Sequence, residues 1–258
     1  MKKHIIDLTV RCVERISEKH VLIRLTDERP LPQMSAGQFV EVRVDGEPST
    51  FLRRPISINF VDRIKNELWL MVAVVGNGTR QLARLQAGDR LNCVLPLGNG
   101  WTLPSFSSSF RPLLVGGGVG VAPLLYLGAE LKAMGIEPTF LLGAKTQRDL
   151  LETNLFEQYG RVCVTTEDGS VGEQGFVTNH SVLDEVFTYI YTCGPTPMMK
   201  AVSRYAMQKD IACEASLENM MACGVGACLC CVEKTTEGNL CVCKEGPVFN
   251  VKRLLWQI

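Results

Sequence analysis

The sequence predicts a β-barrel followed by an α/β domain with a parallel sheet, and then a small metal-binding segment. Three observations support this fold class: short alternating strands up to residue 103, strands that alternate with helices from 110 to 212, and a cysteine cluster after 215. The predicted domains are therefore 1–103, 110–212 and 215–258, with Pro104–Ser109 as a linker. A chain of 258 residues has room for two ordinary domains and a short tail.

The first region has the alternating pattern of a half-buried antiparallel sheet. Phe39–Val44 places Val40, Val42 and Val44 on one face. Similar runs, separated by Gly, Pro, Asp and Asn, are Ile5–Val13, His20–Leu25, Pro55–Phe60, Glu67–Val75 and Arg90–Val94. About six short strands with frequent turns predict a small antiparallel barrel.

The second region alternates strands and helices, which is typical of a parallel sheet covered on both faces. The predicted elements are strands at Leu113–Val115, Thr139–Leu142, Val162–Thr165 and Tyr189–Thr192, and helices at Pro123–Met134 and near Asp149–Gln158. After about Ala215 the periodicity is lost, so we expect the tail to depend on a bound metal for its order.

Charge and hydropathy exclude several classes of partner. Lys+Arg and Asp+Glu number 27 each, and zero net charge argues against nucleic acid or an anionic membrane surface. The charged start Met1–His4 is not followed by an apolar signal-peptide core, and the apolar stretch Pro112–Leu127 is broken by three adjacent glycines. We therefore expect a cytoplasmic protein that does not bind membranes.

The cysteines indicate a metal centre in a reducing compartment. Eleven are present and six lie between Cys223 and Cys243, which is a poor framework for disulfides. Cys223, Cys228 and Cys231 have the C-x4-C-x2-C spacing of a plant-type [2Fe–2S] cluster, with a distant fourth cysteine. Spacing alone does not choose between Cys241 and Cys243. The alternatives are a structural zinc site with four cysteine ligands, and inert thiols.

Two glycine-containing segments predict a dinucleotide site in the second domain. Gly116, Gly117, Gly118 and Gly120 join a strand to a helix, where a pyrophosphate can approach the helix N-terminus closely. The spacing is not G-x-G-x-x-G, and a merely structural turn is the alternative. Cys193-Gly194-Pro195 follows a later strand, so Cys193 is a candidate for lining a nicotinamide pocket.

The barrel contains residue types that suit a flavin. Arg54-Pro55-Ile56-Ser57 begins a strand; its arginine can clamp a phosphate and its hydroxyl can bond a flavin ring. Gly78 and Thr79 precede a short helical run, where Thr79 can cap a helix whose N-terminus meets a second phosphate. The alternative is a surface arginine beside a capped helix.

Together these motifs resemble those of the ferredoxin–NADP reductase superfamily. Arg54–Ser57 is similar to its R-x-[YF]-[ST] flavin motif, although Ile56 replaces the usual aromatic residue. The further matches are Gly78-Thr79, Gly88-Asp89 with Pro96–Gly100, Gly116–Pro123 (G-G-G-x-G-x-A-P) and Cys193–Pro195 (C-G-P).

The tail narrows the resemblance to the electron-transfer subunits of class 1B dihydroorotate dehydrogenase. Cys223–Cys231 and Cys243–Phe249 look like that family's cluster segment, in which the last cysteine precedes x-x-G-P-V-F. The resemblance therefore implies the ligands Cys223, Cys228, Cys231 and Cys243. It also implies FAD contacts from Arg54, Pro55, Ile56, Ser57, Met71, Val72, Ala73, Gly78 and Thr79, and NAD contacts from the two glycine-containing segments. No side chain is predicted to be catalytic.

The function implied by the resemblance is an oxidoreductase electron relay in pyrimidine (UMP) biosynthesis. Electrons would pass from an FMN-containing catalytic subunit through [2Fe–2S] and FAD to NAD+, in a heterotetramer with two copies of each subunit. The alternatives are a related NAD(P)H reductase subunit serving ferredoxin, sulfur or hydrogenase partners, and a non-enzymatic zinc-binding interaction module. Lys145, Glu167 and Asp168 lie near expected ribose positions but do not rank NAD over NADP; NAD comes from the resemblance.

Overall fold

A computed structural model describes residues 2–104 and 109–256, and its first region is a closed antiparallel barrel. Residues 105–108 of the predicted linker lie outside the described residues. The barrel elements are β1 (His4–Ser17), β2 (His20–Thr26), β3 (Phe39–Val42), β4 (Arg54–Asp62), β5 (Glu67–Ala73), α1 (Asn77–Leu82) and β6 (Arg90–Leu97). The strand order around the barrel is β1-β2-β5-β4-β3-β6. Val40 and Val42 are buried inside it, as the alternation predicts.

The second region is an α/β domain built on a sheet whose inner strands are parallel. Its elements are β7 (Pro112–Gly117), α2 (Ala122–Ala133), β8 (Thr139–Ala144), α3 (Thr153–Phe156), β9 (Arg161–Thr166), β10 (Glu173–Gln174), β11 (Tyr189–Cys193), α4 (Thr196–Gln208) and β12 (Ala212–Ser216). The spatial order β10-β9-β8-β7-β11-β12 reverses direction at β7. Ligands bind at the carboxyl ends of the strands beside such a switch point.

Two helices of this domain differ from the sequence prediction. The helix predicted near Asp149–Gln158 is present but shorter: a short 3-10 turn, Gln147–Asp149, precedes the single turn of α3. Glu152 separates them because it adopts a left-handed φ of 54° and its carboxylate accepts a hydrogen bond from the Asn59 amide of the barrel. Helix α4 was not predicted, although its buried Met199, Val202 and Ala206 recur at helical spacing.

The described part of the tail packs against the sheet of the α/β domain and shares its apolar cluster. Its elements are β13 (Val232–Thr235), β14 (Gly238–Cys241), α5 (Val242–Glu245) and β15 (Val248–Asn250). Strand β15 pairs antiparallel with β12 and becomes the edge of the seven-stranded sheet, with Phe249 buried in the sheet's apolar cluster. The tail therefore gains order from strand pairing as well as from any bound metal.

The barrel and the α/β domain share one apolar cluster. Leu124, Leu127 and Leu131 of α2 belong to the same cluster as Ile58 and Leu70 of the barrel. This packing fixes the two domains against each other and leaves a crevice at the carboxyl ends of the parallel strands. In the described parts of the chain, no helix has the length and apolar content needed to cross a bilayer.

Candidate functional site

The candidate flavin motif lies on the first half of β4, where one side of the strand lacks a partner. Arg54–Ser57 pairs with β3 through Val42, Glu41, Val40 and Phe39, whereas the β4–β5 ladder extends only as far as Ile58 and Leu70. Within the described chain, the backbone groups of Arg54–Ser57 that face β5 have no strand partner. All four residues are partly exposed, so these polar groups can bond a planar ring edge.

The structure brings Arg54 and Gly78 together, as a shared flavin site would require. A side chain at Gly78 would meet the Arg54 Nε at 3.1 Å, so the guanidinium lies against the first turn of α1. Helix α1 is capped by Gly76, and Thr79 is its third residue. The Thr79 hydroxyl reaches back to accept hydrogen bonds from the Val75 and Gly76 N–H groups, at 2.9 and 3.0 Å. Thr79 therefore supports the turn from inside the helix and is not its N-cap residue.

The strand at Met71–Ala73 is less available to a ligand. Met71 and Val72 are buried, with 2% and 1% of their surface exposed, whereas Ala73 is partly exposed. Any contact of Met71 or Val72 with a flavin would have to use their backbone atoms. The neighbouring Arg53 is structural, because its guanidinium donates to the Glu41 carbonyl and to Asn92.

The two glycine-containing segments of the α/β domain touch each other. Strands β7 and β11 are neighbours, with Gly116 opposite Cys193. A Cβ atom at Gly120 would lie 2.4 Å from the Gly194 Cα, so no side chain fits between the two loops. Gly118 has a left-handed φ of 56° and open space beside it. The loops are therefore in contact at Gly120 and open to a ligand at Gly118.

A cavity of about 530 Å³ lies at this edge of the sheet and is the candidate dinucleotide site. Of the residues predicted to bind NAD, Gly117, Gly118 and Pro195 line it. Gly116, Gly120, Cys193 and Gly194 lie behind them and hold the loops together. Lining residues that the motifs did not identify include Lys19, His20, Gly143, Asp149, Phe176 and Met198. Gly143 follows a predicted strand and Met198 follows the Cys193–Pro195 motif, whereas the other four had no such signal in the sequence.

The acidic residues after β9 have different roles. Asp168 accepts hydrogen bonds from the Ser170 hydroxyl and N–H, at 2.7 and 3.0 Å, and these bonds lower the pKa of the Asp168 carboxyl. Glu167 lines the cavity together with Lys145. Asp168 therefore stabilises the turn, and Glu167 is the acid that can reach a bound ribose.

Cys193 faces the protein interior. It is fully buried, and its Sγ lies 3.8 Å from the Glu218 Oε1, to which the thiol donates a weak hydrogen bond. Burial, followed by the Glu218 carboxylate, raises the pKa of the Cys193 thiol well above its ordinary value. Cys193 is therefore a neutral thiol behind the cavity wall.

The cysteine-rich loop directs backbone N–H groups at its sulfurs. The N–H groups of Val225, Ala227 and Cys228 donate to the Cys223 Sγ at 3.5, 3.3 and 3.4 Å. Desolvation acts to raise the pKa of the Cys223 thiol, but these donors lower it to about 6. The thiolate, which is the form that binds iron, is therefore favoured at neutral pH.

Two further candidate ligands lie on the protein side of the loop. The Gly226 N–H donates to the Cys243 Sγ at 3.1 Å, and the Cys243 N–H donates to the Cys231 Sγ at 3.3 Å. Cys231 and Cys243 are buried, whereas Cys228 is exposed. The donor set suits an iron–sulfur cluster that is buried on one side and accessible on the other.

Cys241 has different surroundings. Its Sγ lies 3.9 Å from the Gly226 carbonyl oxygen and donates to it as a thiol. A carbonyl oxygen would repel a thiolate, so Cys241 is a poorer candidate ligand than Cys243. Cys230 is exposed. In the described residues no three Cys, His, Asp or Glu side chains already converge as metal ligands, so the ligand set stays a proposal.

The cluster loop packs directly on the barrel. A side chain at Gly224 would meet the Glu41 Cγ at 2.8 Å and the Leu97 Cδ1 at 2.9 Å, so the loop lies on β3 and β6. The segment after Cys243 is attached as well: the Asn99 N–H donates to the Gly246 carbonyl at 2.6 Å, and its amide donates to the carbonyls of Lys244 and Glu245. The candidate cluster and flavin sites are thus held by adjoining barrel strands.

Glu41 is buried between the two candidate sites. It is 1% exposed, and neither carboxylate oxygen has a hydrogen-bond partner among the described residues. Burial raises the pKa of Glu41 to about 7, although the guanidinium of Arg53 acts in the opposite direction. Glu41 pairs with Pro55 of the flavin motif across the β3–β4 ladder.

Two family models match the chain. The model described as the iron-sulfur cluster binding domain of dihydroorotate dehydrogenase B matches residues 218–255, and the oxidoreductase NAD-binding domain matches residues 114–204. These ranges contain the cysteine loop and the carboxyl edge of the parallel sheet.

Relatives and solved structures agree with these matches. A solved NADH-dependent reduced ferredoxin-NADP oxidoreductase is 28% identical, with a TM-score of 0.86 over 96% of this chain and 90% of that chain. The Amycolatopsis cytochrome P450 reductase GcoB is 25% identical, with a TM-score of 0.68 over 80% of this chain and 66% of that chain.

Two sequence relatives bear the name dihydroorotate dehydrogenase B (NAD(+)), electron transfer subunit. The protein from Shouchella clausii (strain KSM-K16) is 42% identical over 83% of this chain and 84% of its own length. The protein from Caldanaerobacter subterraneus subsp. tengcongensis is 41% identical over 85% of this chain and 87% of its own length. With identity at this level over more than four-fifths of its length, the chain belongs to the family of electron transfer subunits of dihydroorotate dehydrogenase B (NAD(+)).

Proposed function

We propose that this chain is the oxidoreductase subunit that passes electrons from a dihydroorotate-oxidising catalytic subunit through [2Fe–2S] and FAD to NAD+. The contact of Gly224 with β3 carries this proposal. Strand β3 is hydrogen-bonded to Arg54–Ser57, and neighbouring strands lie about 4.8 Å apart. A cluster bound by the loop and a flavin bound by β4 would thus be separated by about one strand.

Each group has its own set of residues in this proposal. Arg54 and the unpaired edge of β4 hold FAD, Gly117 and Gly118 hold the dinucleotide, and Cys223, Cys228, Cys231 and Cys243 hold the cluster. Bound FAD supplies hydride exchange with NAD and single-electron exchange with the cluster. The protein places these groups and excludes water, since the sulfurs of Cys231 and Cys243 are buried.

The catalytic partner is proposed to dock over the exposed side of the cluster loop. Met220, Val225 and Leu229 are 84%, 41% and 65% exposed and flank the accessible ligands Cys223 and Cys228. An apolar rim around a redox centre suits a partner that must bring its own centre close. We propose an FMN-containing partner and an assembly with two copies of each subunit.

Purification of the native complex tests this function. The expected result is a yellow-brown protein with flavin and iron–sulfur absorption bands, associated with an FMN protein, that reduces NAD+ when dihydroorotate is added. A stable partner without FMN, or one that uses ferredoxin, sulfur or hydrogen, would contradict the proposed partner. A colourless chain with one bound zinc would contradict the redox function altogether.

Arg54→Ala is expected to weaken FAD retention by about 10- to 100-fold, because a charge-assisted contact with a phosphate is lost. The measurement is the flavin content of the purified chain and its dissociation constant for FAD. Arg29→Ala is the control, because Arg29 is an exposed arginine that pairs only locally with Asp27. Equal flavin occupancy in both variants would show that Arg54 is only a surface charge.

Glu167→Lys is expected to move nucleotide preference toward NADPH. The carboxylate at the end of β9 can accept hydrogen bonds from ribose hydroxyls and repels a 2′-phosphate. We expect the ratio of kcat/KM for NADPH to that for NADH to rise at least about tenfold. Glu137→Lys, at the opposite edge of the sheet, is the charge-matched control. An unchanged ratio in Glu167→Lys would exclude Glu167 from ribose recognition.

A further inference from the structure

The β1–β2 hairpin of the barrel extends to the nucleotide cavity of the other domain. Strand β1 has 14 residues, and its last pairs with β2 are Arg15–Val21 and Ser17–His20. Lys19 and His20, at the hairpin tip, line the same cavity as Gly117 and Gly118. The wall of this cavity therefore comes from both domains.

The tip is held in place by hydrogen bonds within the hairpin and by one from Val74, after β5. The Lys19 carbonyl accepts from the Val74 N–H at 2.7 Å, and the Ser17 hydroxyl accepts from the Lys19 N–H at 3.2 Å. The same hydroxyl lies 2.8 Å from the His20 Nδ1. A fixed backbone thus presents the Lys19 side chain, whose ammonium makes no ion pair or hydrogen bond with the described residues.

Titratable side chains line the cavity on both its barrel side and its sheet side. Lys19 and His20 lie on the barrel side, and Lys145, Asp149 and Glu167 lie on the sheet side. The Asp149 carboxylate is already engaged, because it accepts a hydrogen bond from the Thr146 hydroxyl at 3.0 Å. Among the described residues no arginine lines the cavity, so the fixed positive charges there are the two lysines.

A dinucleotide carries its negative charge on the pyrophosphate, which must be matched by cations and N–H groups. We propose that Lys19 binds the pyrophosphate of NAD, so that the hairpin tip of the flavin domain completes the nucleotide site. This inference rests on the proposed function, because it assumes that the cavity takes NAD. Arg54, Ser57 and Gly78, which are proposed to hold FAD, do not line this cavity, so NAD is the occupant proposed for it.

His20 adds a pH dependence to the same contact. Burial lowers the pKa of His20, Asp149 acts to raise it, and Lys19 acts to lower it further. The imidazole is therefore neutral at pH 7, and Lys19 supplies the charge of the tip. Protonation of His20 at lower pH adds a second cation beside Lys19, against the opposite charges of Asp149 and Glu167 across the cavity.

Lys19→Gln tests the inference in the FAD-loaded protein, with ADP-ribose and NAD+ as the probes. We expect the dissociation constants for both to rise about five- to tenfold, with flavin content unchanged. The ratio of the variant's dissociation constant to that of wild type should fall as the KCl concentration is raised, because salt screens the contact between Lys19 and the pyrophosphate. Lys19→Arg should restore binding, and Lys65→Gln, in the β4–β5 turn, is the matched control.

The inference would be overturned if Lys19→Gln bound ADP-ribose with unchanged affinity. It would also be overturned if the variant lost FAD and kept its affinity for ADP-ribose. These outcomes are distinct from failure of the proposed function. If wild-type protein bound neither ADP-ribose nor NAD+, the nucleotide site itself would be refuted. His20→Gln gives an independent readout, because it should abolish the increase in ADP-ribose affinity that the wild type gains on acidification. An increase retained in the variant would contradict the role of the tip.

Discussion

Cys243→Ser is expected to remove the iron–sulfur cluster. Iron content should fall from about two atoms per chain to near zero, with loss of the cluster's visible absorption. The reason is that Cys243 is buried beside Cys231 and its sulfur receives the Gly226 N–H, an arrangement that a serine hydroxyl does not reproduce for iron. Flavin content should remain, because Arg54 and Gly78 lie on the barrel.

Cys241→Ser is the matched control for this substitution. Cys241 lies only two residues away, at the end of β14, and is similarly buried, but its sulfur faces the Gly226 carbonyl. Iron content should therefore stay near that of wild type. Equal iron loss in the two variants would overturn the choice of Cys243, and loss in Cys241→Ser alone would assign the fourth ligand to Cys241.

The domain contact at Glu152 is expected to make the protein less stable as the pH rises. Burial raises the pKa of Glu152 to about 7, although the hydrogen bond from Asn59 and the charge of Arg24 act to lower it. The unfolded chain loses this proton near pH 4.5, whereas the folded chain keeps it up to about pH 7. Deprotonation of Glu152 therefore lowers the free energy of unfolding progressively between pH 4.5 and pH 7, by about 3 kcal/mol in total. This loss persists at higher pH.

Glu152→Gln should remove this loss of stability, since an amide remains neutral. At pH 8 we expect the denaturation midpoint of the variant to exceed that of wild type, whereas below about pH 4.5, where both states keep the Glu152 proton, the two midpoints should converge. The measurement is a series of denaturant titrations at constant flavin and iron content. Glu157→Gln, five residues along the chain at an exposed site, is the control. If the denaturation midpoints of Glu152→Gln and wild type differed by the same amount at all pH values, Glu152 would not titrate between pH 4.5 and pH 7.

The sequence predicted most of the fold because its strands are short, regular and separated by turn residues. The alternation at Phe39–Val44 and the apolar run before Gly116 correspond to β3 and β7. The helix predicted near Asp149–Gln158 is shorter than expected, because Glu152 adopts a left-handed conformation and contacts Asn59 of the barrel. Strand β15 was missed because three residues are too short for a periodic signal, and its pairing with β12 is a long-range contact.

The candidate site was predictable where one motif carries the chemistry. The cysteine spacing and the glycine loops lie within single segments, so their residue types could be interpreted directly. Lys19 and His20 were not predictable in this way, because nothing near them in the sequence indicates a nucleotide. Their position depends on the length of β1 and on how the domains pack. Spacing likewise left Cys241 and Cys243 unresolved, and the structure distinguishes them by the backbone group that faces each sulfur.

The pairing of β12 with β15 makes the cluster segment a long loop anchored at both ends. The loop is closed where the Leu217 N–H donates to the Pro247 carbonyl at 2.9 Å, and the proposed ligands lie inside it. A cluster bound there acts as a cross-link between its beginning and its end. Damage to the cluster by oxidants would therefore open a local loop and leave the sheet paired. Proteolysis would then produce a nicked protein whose two fragments stay associated through β12 and β15.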